Sequence, residues 1–203
     1  VILVISGGHT YLAICSEYGK YEIVGQTRDD AAGEAFDKVA RAIGLGYPGG
    51  PKVDKLSKSG NPDAFDFPIA HIADAPFDFS YSGVKSAVLN QLNTAKMNGM
   101  EINSADVAAS FQKAIIGSTV PKAIALCKEK NINKLAIAGG VASNSALREA
   151  LQSACDKEGI QFCSPSPVMC TDNAAMIGAA AYYKYLNNEF SGLDLNAIPN
   201  LSL

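Results

Sequence analysis

Two pairs of adjacent glycines stand where a loop could bind phosphate. The first pair, Gly7 and Gly8, lies in Ile5-Ser-Gly-Gly-His-Thr10, between two β-rich runs. Because glycine has no Cβ, such a loop can turn tightly and direct its N–H groups at an anion. We therefore predict a phosphate-binding hairpin. A plain turn between two hairpin strands is the alternative that an isolated Gly-Gly leaves open.

The second pair, Gly139 and Gly140, lies in Leu135-Ala-Ile-Ala-Gly-Gly-Val-Ala-Ser-Asn144, where an apolar run ends and a helical pattern begins. This order predicts a helix N-terminus and the polar Asn144 at the carboxyl edge of a sheet, where α/β proteins bind ligands. A tight turn capped by Ser143 or Asn144 is the structural alternative. Two such pairs in one domain favour a nucleotide lying between them.

Four carboxylates fall within nine positions in Asp29-Asp-Ala-Ala-Gly-Glu-Ala-Phe-Asp37. A surface ion pair between Asp37 and Arg41, four residues apart on one helix, explains Asp37 without any function. Alternatively, Glu34 or Asp37 accepts hydrogen bonds from ribose hydroxyls. The residue types leave both interpretations open.

Asp172 precedes a helix of small residues, where an aspartate serves either as the N-cap or as a metal ligand. The chain contains only two histidines, His9 and His71, and they are not spaced as a helical metal-binding pair, so no complete metal site can be drawn from it. Ser6 and His9 are three residues apart across a turn. This spacing does not indicate a nucleophile and its base, and a serine hydrolase is not expected.

The elements that must position these residues follow from periodicity. A three-stranded meander is predicted first, then a helix with Phe36, Val39 and Ile43 on one face, and an irregular connection over residues 60–82. Pro121 is expected to break or kink the following helical region. The strands are predicted at 1–5, 10–15, 21–27, 134–138 and 161–163, and the helices at 33–43, 84–92, 105–128, 144–154 and 173–186. Such an order predicts a three-layer α/β lobe with a mixed sheet.

Composition limits the classes of protein further. The chain has 203 residues, 48% hydrophobic and 18% charged, which is enough for a substantial core and unlike a disordered chain. A net charge of −3 argues against binding a polyanion by bulk electrostatics. Five cysteines without a CxxC pair indicate a reducing cytoplasm and core positions rather than disulfides. The first residue, Val1, is not a methionine and already belongs to a predicted strand, so we expect a longer protein.

Six segments form an ordered set across the chain. They are Ser6-Gly-Gly-His-Thr10, Asp29-Asp-Ala-Ala-Gly-Glu-Ala-Phe-Asp-Lys-Val-Ala-Arg41, Tyr47-Pro-Gly-Gly-Pro51, Phe79-Ser-Tyr-Ser-Gly-Val-Lys-Ser-Ala87, Gly139-Gly-Val-Ala-Ser-Asn144 and Thr171-Asp-Asn-Ala-Ala-Met176. In this order they resemble the bacterial or organellar branch of the tRNA N6-adenosine threonylcarbamoyltransferase family (TsaD), formerly classed as glycoproteases.

The resemblance implies an actin-like ATPase (ASKHA) fold of two lobes. Residues 1–203 would be the second, C-terminal lobe, with a helical insertion over about residues 45–130, and the N-terminal lobe would be absent. The family transfers the threonylcarbamoyl group of threonylcarbamoyl-AMP to N6 of the adenosine 3′ of the anticodon, in tRNAs that read codons starting with A. By resemblance the partners are tRNA, the paralogous scaffold TsaB and the ATPase TsaE, in the cytoplasm and without a membrane.

The resemblance also implies roles for single residues, although none is singled out as catalytic. The nucleotide ligand would be threonylcarbamoyl-AMP, ATP or ADP, with one divalent, iron or zinc-like metal ion per subunit. Val4, Ile5, Ser6, Gly7 and Gly8 would line the phosphate, Asp37, Gly50 and Asp54 would hold the substrate, Asn144 would lie by the nucleotide, and Asp172 would bind the metal.

Two departures accompany the resemblance. The family's two metal-binding histidines, in an H-x-x-x-H helix, are absent from this chain, so we expect it to be inactive by itself. The second departure lies in a segment whose usual sequence in the family is Phe-Ser-Phe-Ser-Gly-Leu-Lys-Thr-Ala. This chain differs from it at Tyr81, Val84 and Ser86, which leaves the assignment unchanged.

Three other classes of protein are weighed against this resemblance. An actin-like acetate or sugar kinase would share the glycine pairs but has no reason to carry the segment from residue 29 to residue 41. A metalloprotease needs a zinc-bound water with a base, which nothing here supplies. A non-catalytic paralogue acting as a dimerisation scaffold would be expected to lack Asp172 and the loop at 139–144, and both are present.

Overall fold

A five-stranded mixed sheet organises the computed structural model, which describes residues 1–198. The strands are β1 (Ile2–Ile5), β2 (Thr10–Glu17), β3 (Lys20–Gln26), β4 (Lys134–Ala138) and β5 (Gln161–Cys163). Their spatial order is β3-β2-β1-β4-β5, in which β1 to β3 form an antiparallel meander, β4 is parallel to β1, and β5 is parallel to β4. The predicted meander and the mixed sheet are therefore confirmed.

Six α-helices accompany the sheet in the described part of the chain. A short helix forms directly after the cis bond between Tyr47 and Pro48, where the sequence predicted only a turn and a short segment. The helices are α1 (Ala32–Ala42), α2 (Gly49–Ser57), α3 (Ser82–Met97), α4 (Ser104–Glu129), α5 (Ser145–Glu158) and α6 (Ala174–Leu186), with 3₁₀ turns at Gly140–Ser143 and Pro167–Met169.

Pro121 lies inside α4, which runs as one helix of 26 residues rather than as two. The expectation of a break was wrong, because packing outweighs the lost backbone hydrogen bond. The ring of Pro121 is on the exposed side of the helix, while Val120 and Ala123 beside it are buried in the core. The helix is thus held on both sides of the proline.

The core lies between one face of the sheet and the helices. Leu3 and Ile5 of β1 and Leu135 of β4 are fully buried, in one cluster with Phe36 of α1 and Phe111 of α4. The alternate residues of the strands, such as Ile2 and Val4, are only half-buried and lie outside this cluster. The described residues therefore form two layers, and the third layer expected from the sequence is not complete within residues 1–198.

Helix α6 is the element that contributes least to the core. None of its residues is buried, although Met176, Ile177 and Tyr182 are large and apolar. Its main aromatic contact with the meander is the ring of Tyr183 stacked on Tyr18, with centroids 3.7 Å apart. Among residues 1–198, no helix combines the length and the apolar composition that crossing a bilayer requires.

Candidate functional site

A pocket of about 370 Å³ opens at the carboxyl ends of the neighbouring parallel strands β1 and β4. Both glycine loops contribute to it, since one follows each strand, and α1 and α2 close it from the side. This is the place where α/β sheets bind ligands. The residues that line it are Gly7, Gly33, Phe36, Asp37, Tyr47, Pro48, Gly50, Pro51, Asp54, Gly140, Val141, Ser143, Asn144 and Thr171.

The first glycine loop is closed by Ser6. Its hydroxyl accepts hydrogen bonds from the N–H groups of His9, at 3.0 Å, and of Gly8, at 3.4 Å, and it donates to the His9 carbonyl at 3.2 Å. Two amides of this loop thus face Ser6, while Gly7 lines the pocket. Because the serine proton goes to a backbone carbonyl and not to the imidazole, Ser6 and His9 do not form a nucleophile and base.

The second glycine loop packs directly against the end of β1. Gly139 has a positive φ of 96°, and a Cβ there would lie 2.4 Å from the Ile5 carbonyl oxygen. Gly33, at the start of α1, approaches the first loop as closely, and its N–H donates to the Ser6 carbonyl at 2.9 Å. A side chain at Gly139 would push the second loop away from the end of β1, and one at Gly33 would push α1 away from the first loop, so glycine is required at both.

Asp37 and Asp54 are the two carboxylates that line the pocket. Asp37 Oδ1 accepts a hydrogen bond from the Gly49 N–H at 2.7 Å, which attaches the start of α2 to α1. The surface ion pair with Arg41 that the spacing allowed is not formed. Asp54 accepts from Ser145, both from the hydroxyl at 3.0 Å and from the N–H at 3.2 Å. Its charge therefore lies at the N-terminus of α5, where the helix dipole stabilises it.

Asn144 combines the two roles that the sequence left open. Its side-chain oxygen caps α5 by accepting from the Leu147 N–H at 2.9 Å, and the residue also lines the pocket. Its amide nitrogen donates to Gln112 of α4 at 2.7 Å. Capping and ligand binding do not exclude each other here.

Within residues 1–198, the lining of the pocket contains no lysine or arginine. Lys52, which directly follows the lining residue Pro51, donates to the carbonyl oxygens of Leu45 and Tyr47 and so stabilises the loop before α2. Glu34 pairs with Lys38 at 2.8 Å on the surface of α1. The pocket thus offers two carboxylates, one side-chain amide, backbone groups and the hydroxyls of Tyr47, Ser143 and Thr171.

The structure brings five of the ten predicted site residues to the pocket lining: Gly7, Asp37, Gly50, Asp54 and Asn144. Val4, Ile5, Ser6 and Gly8 stand beside it in β1 and the first loop, and Ile5 is fully buried in the core. Phe36 and Tyr47 were not predicted as lining residues. The Tyr47-Pro-Gly-Gly-Pro51 motif was the signal for the second of these, while Phe36 was assigned to the core from its helical period.

Asp172 is exposed and lies just before α6, outside the pocket lining, although its neighbour Thr171 belongs to it. The N-cap of α6 is Asn173, whose side chain accepts from the Met176 N–H at 3.0 Å. Capping therefore does not explain Asp172. Within residues 1–198 no three His, Cys, Asp or Glu side chains are grouped as a metal site would require.

A comparison with known protein families shows to which family the chain belongs. The family model for "TsaD: tRNA N6-adenosine threonylcarbamoyltransferase" matches residues 1–179. The chain belongs to this family. Two proteins named tRNA N6-adenosine threonylcarbamoyltransferase, from Clostridium kluyveri and Clostridium perfringens, are 60% and 62% identical to it over its whole length. The chain spans about 60% of the length of each of these TsaD relatives.

Solved structures show the fold of this TsaD family member. Full-length HypF in its phosphate- and nucleotide-bound form matches 94% of the chain and 40% of its own length, with a TM-score of 0.69 and 16% identity. The activator of the 2-hydroxyisocaproyl-CoA dehydratase from Clostridium difficile, with bound ADPNP, matches 96% of the chain and 64% of its own length, with a TM-score of 0.51 and 16% identity. The predicted actin-like ATPase fold is confirmed, while the division into lobes and the bounds of the helical insertion stay predictions.

Proposed function

We propose that this chain is the nucleotide-binding part of a tRNA N6-adenosine threonylcarbamoyltransferase. The observation that carries the proposal is the pocket between the two glycine loops, with Asp37 and Asn144 on its wall, in a chain of the TsaD family. The ligand would be threonylcarbamoyl-AMP. The HypF and activator structures, which hold nucleotides, support an adenylate in a fold of this kind.

The chemistry is acyl transfer. N6 of the tRNA adenosine attacks the carbamoyl carbon, the bond from that carbon to the phosphate oxygen of AMP breaks, and N6 loses one proton as AMP leaves. The residues of this chain would bind and orient the adenylate. Asp37 has a carboxylate oxygen left for a ribose hydroxyl, since among the described residues only its Oδ1 atom has a protein donor.

The phosphate would lie against backbone rather than against a cation. In the described part of the chain no lysine or arginine lines the pocket, whereas Gly7 and Gly140 do, one from each loop. Backbone N–H groups with no Cβ beside them can approach a phosphate closely. A ligand phosphate would also compete with Ser6 for the long hydrogen bond from the Gly8 N–H.

The metal expected from the family does not have a complete site in the described residues, where Asp172 is a single exposed carboxylate. We infer that Asp172 contributes one ligand and that the others belong to the part of the TsaD relatives that this chain does not span. An iron or zinc-like ion bound there would supply a Lewis acid.

The proposed macromolecular partner is tRNA, with the scaffold TsaB and the ATPase TsaE as protein partners in the cytoplasm. The net charge of −3 gives this chain little attraction for a polyanion, so the tRNA contacts would extend to other parts of the assembly.

Transfer by the full-length protein is the test. With threonylcarbamoyl-AMP and tRNA, mass spectrometry of the nucleosides should detect threonylcarbamoyladenosine, and Asp37→Asn should weaken adenylate binding about tenfold through the loss of a charged acceptor. Asp66→Asn, at an exposed position outside the pocket, is the control. Phosphorylation of acetate or a sugar instead would identify a kinase. Absence of both reactions, with TsaB and TsaE supplied, would favour the scaffold.

A further inference from the structure

Gln112 is a buried polar side chain that the proposed chemistry does not use. It lies in the first half of α4, is 6% exposed, and does not line the nucleotide pocket. Buried amides are costly unless both of their ends are hydrogen-bonded. Gln112 meets this requirement with two equally buried partners, Ser57 of α2 and Asn144 at the start of α5.

The hydrogen bonds around Gln112 permit one orientation of each amide. The single proton of the Ser57 hydroxyl goes to the Asp54 carbonyl oxygen at 2.9 Å, so the Ser57 oxygen can only accept from Gln112. Gln112 Nε2 donates to it at 2.8 Å, which turns Gln112 Oε1 towards Asn144. Asn144 must therefore present its Nδ2 group, which donates to that oxygen at 2.7 Å.

The same orientation determines which atoms of the Asn144 side chain can still form a hydrogen bond with a ligand. Its Oδ1 atom is used by the Leu147 N–H, and one of its two Nδ2 protons is used by Gln112. The second Nδ2 proton has no acceptor among the described residues, and Asn144 lines the pocket. This second proton is available for a hydrogen-bond acceptor of a ligand in the pocket.

We propose that Gln112 is a positioning residue for the nucleotide site: it holds the Asn144 amide as a hydrogen-bond donor towards an acceptor atom of the adenylate. The inference rests on the proposed function, because it takes the ligand of this pocket to be a nucleotide. Through Ser57 the same hydrogen-bond chain joins Asn144 to the backbone of Asp54, so α2 and α5 are fixed relative to each other around the ligand.

Two substitutions of Gln112 in the full-length protein distinguish its role as a hydrogen-bond acceptor for Asn144 from a role in packing. Gln112→Met keeps the length of the side chain but has no acceptor for Asn144, and ATP affinity measured by calorimetry should fall about tenfold, as for one lost hydrogen bond to the ligand. Gln112→Glu keeps an acceptor for Asn144, and its affinity should stay within about threefold of the unmodified protein. Ser118→Ala is the matched control. It removes another buried hydroxyl of α4, one that takes no part in the hydrogen bonds around Gln112, and this variant should bind ATP normally.

The effect of Gln112→Met is also measured in a protein that carries Asn144→Ser, and this comparison is decisive. Serine caps a helix as well as asparagine does but has no amide to be oriented. If Gln112 acts through Asn144, Gln112→Met should cost no further ATP affinity in the Asn144→Ser protein. A merely structural Gln112 would cost the same factor in both backgrounds.

Different results would refute the nucleotide site and the positioning role of Gln112. Failure of the unmodified full-length protein to bind ATP or threonylcarbamoyl-AMP refutes the nucleotide site itself. Normal ATP affinity in Gln112→Met, equal losses in both backgrounds, or a tenfold loss in Gln112→Glu refutes the positioning role alone. If Gln112→Met does not fold, a tenfold loss of ATP affinity in Gln112→Glu still refutes the positioning role.

Discussion

At the scale of single residues, Gly7 and Gly8 are notable because the fold does not need them. Neither has a positive φ, and a Cβ at either position would meet no atom within 4 Å. In contrast, Gly139 and Gly33 would bring a Cβ within 2.4 and 2.6 Å of carbonyl oxygens. The phosphate site proposed at this loop would be a reason for glycine at positions 7 and 8.

Gly8→Val in the full-length protein should therefore abolish nucleotide binding and leave the fold intact, because the branched side chain would occupy the space of the phosphate. Calorimetry with a stable adenylate analogue measures the first effect and thermal unfolding the second. Gly83→Ala, on the exposed side of α3 with open space around it, should change neither. Unchanged affinity in Gly8→Val would contradict a phosphate site at this loop.

Asp172 offers a second test at this scale, because Asn173 already caps α6. Asp172→Asn in the full-length protein should lower the bound metal and the transferase activity together, since a neutral amide is a weaker ligand than a carboxylate. Stability should change by less than about 1 kcal/mol. Elemental analysis and the nucleoside assay are the measurements. Full metal occupancy with full activity would mean that Asp172 binds no metal.

At the scale of elements, Asp29 caps a helix that begins more than fifty residues later in the chain. Helix α3 has no side-chain cap of its own at Tyr81. The Asp29 carboxylate instead accepts from the hydroxyls of Ser80 and Ser82, at 2.5 and 2.6 Å, and from the N–H groups of Tyr81 and Ser82, at 2.8 and 3.2 Å. Desolvation raises its pKa, but these hydrogen bonds outweigh that effect and lower the pKa below its usual value.

Asp29→Asn should lower the free energy of unfolding by about 1 kcal/mol at pH 7, the usual value of a lost cap. Because the pKa of Asp29 is lowered in the folded state, its contribution is present above the ordinary aspartate pKa and is lost as the pH falls through the lowered value. The difference between the two proteins should thus shrink below about pH 4. Urea unfolding at pH 7 and at pH 3 measures it, with Glu101→Gln on the exposed loop before α4 as the control. A pH-independent difference would refute this role of the charge.

At the scale of the whole molecule, the chain has the pocket but only part of what the proposed transfer would require. It spans about 60% of the length of its relatives, and residues 1–198 contain no complete metal site. Helix α6 also exposes apolar side chains such as Ile177, at 64% exposure, which isolated soluble domains usually cover.

Purified residues 1–203 should therefore show no threonylcarbamoyl transfer to tRNA, even with TsaB and TsaE supplied, and should bind tRNA weakly because of their acidic balance. The full-length protein under the same conditions should form threonylcarbamoyladenosine. Turnover by residues 1–203 at a rate near that of the full-length protein would refute both the shared metal site and the two-lobe prediction.

The sequence by itself determined the family, the meander, the mixed sheet and the position of both glycine loops at the ends of strands. These features depend on residues close together in the chain: Gly7 and Gly8 follow one β-rich run, and Gly139 and Gly140 end another. Local periodicity and turn chemistry are sufficient for them. The same local rules were wrong at Pro121, where burial of the flanking residues in the core keeps the helix continuous.

Only the tertiary structure decided which side chains meet at the pocket and how each is held. Asp54 bonds to Ser145 across 91 residues, and Gln112 reaches Asn144 from 32 residues away. No spacing in the sequence predicts these pairs, because they depend on how α2, α4 and α5 pack together. The side-chain oxygen of Asn144 faces the helix and its amide faces Gln112 for the same physical reason: every buried polar atom of this cluster must find a partner, and the packing determines which partner is within reach.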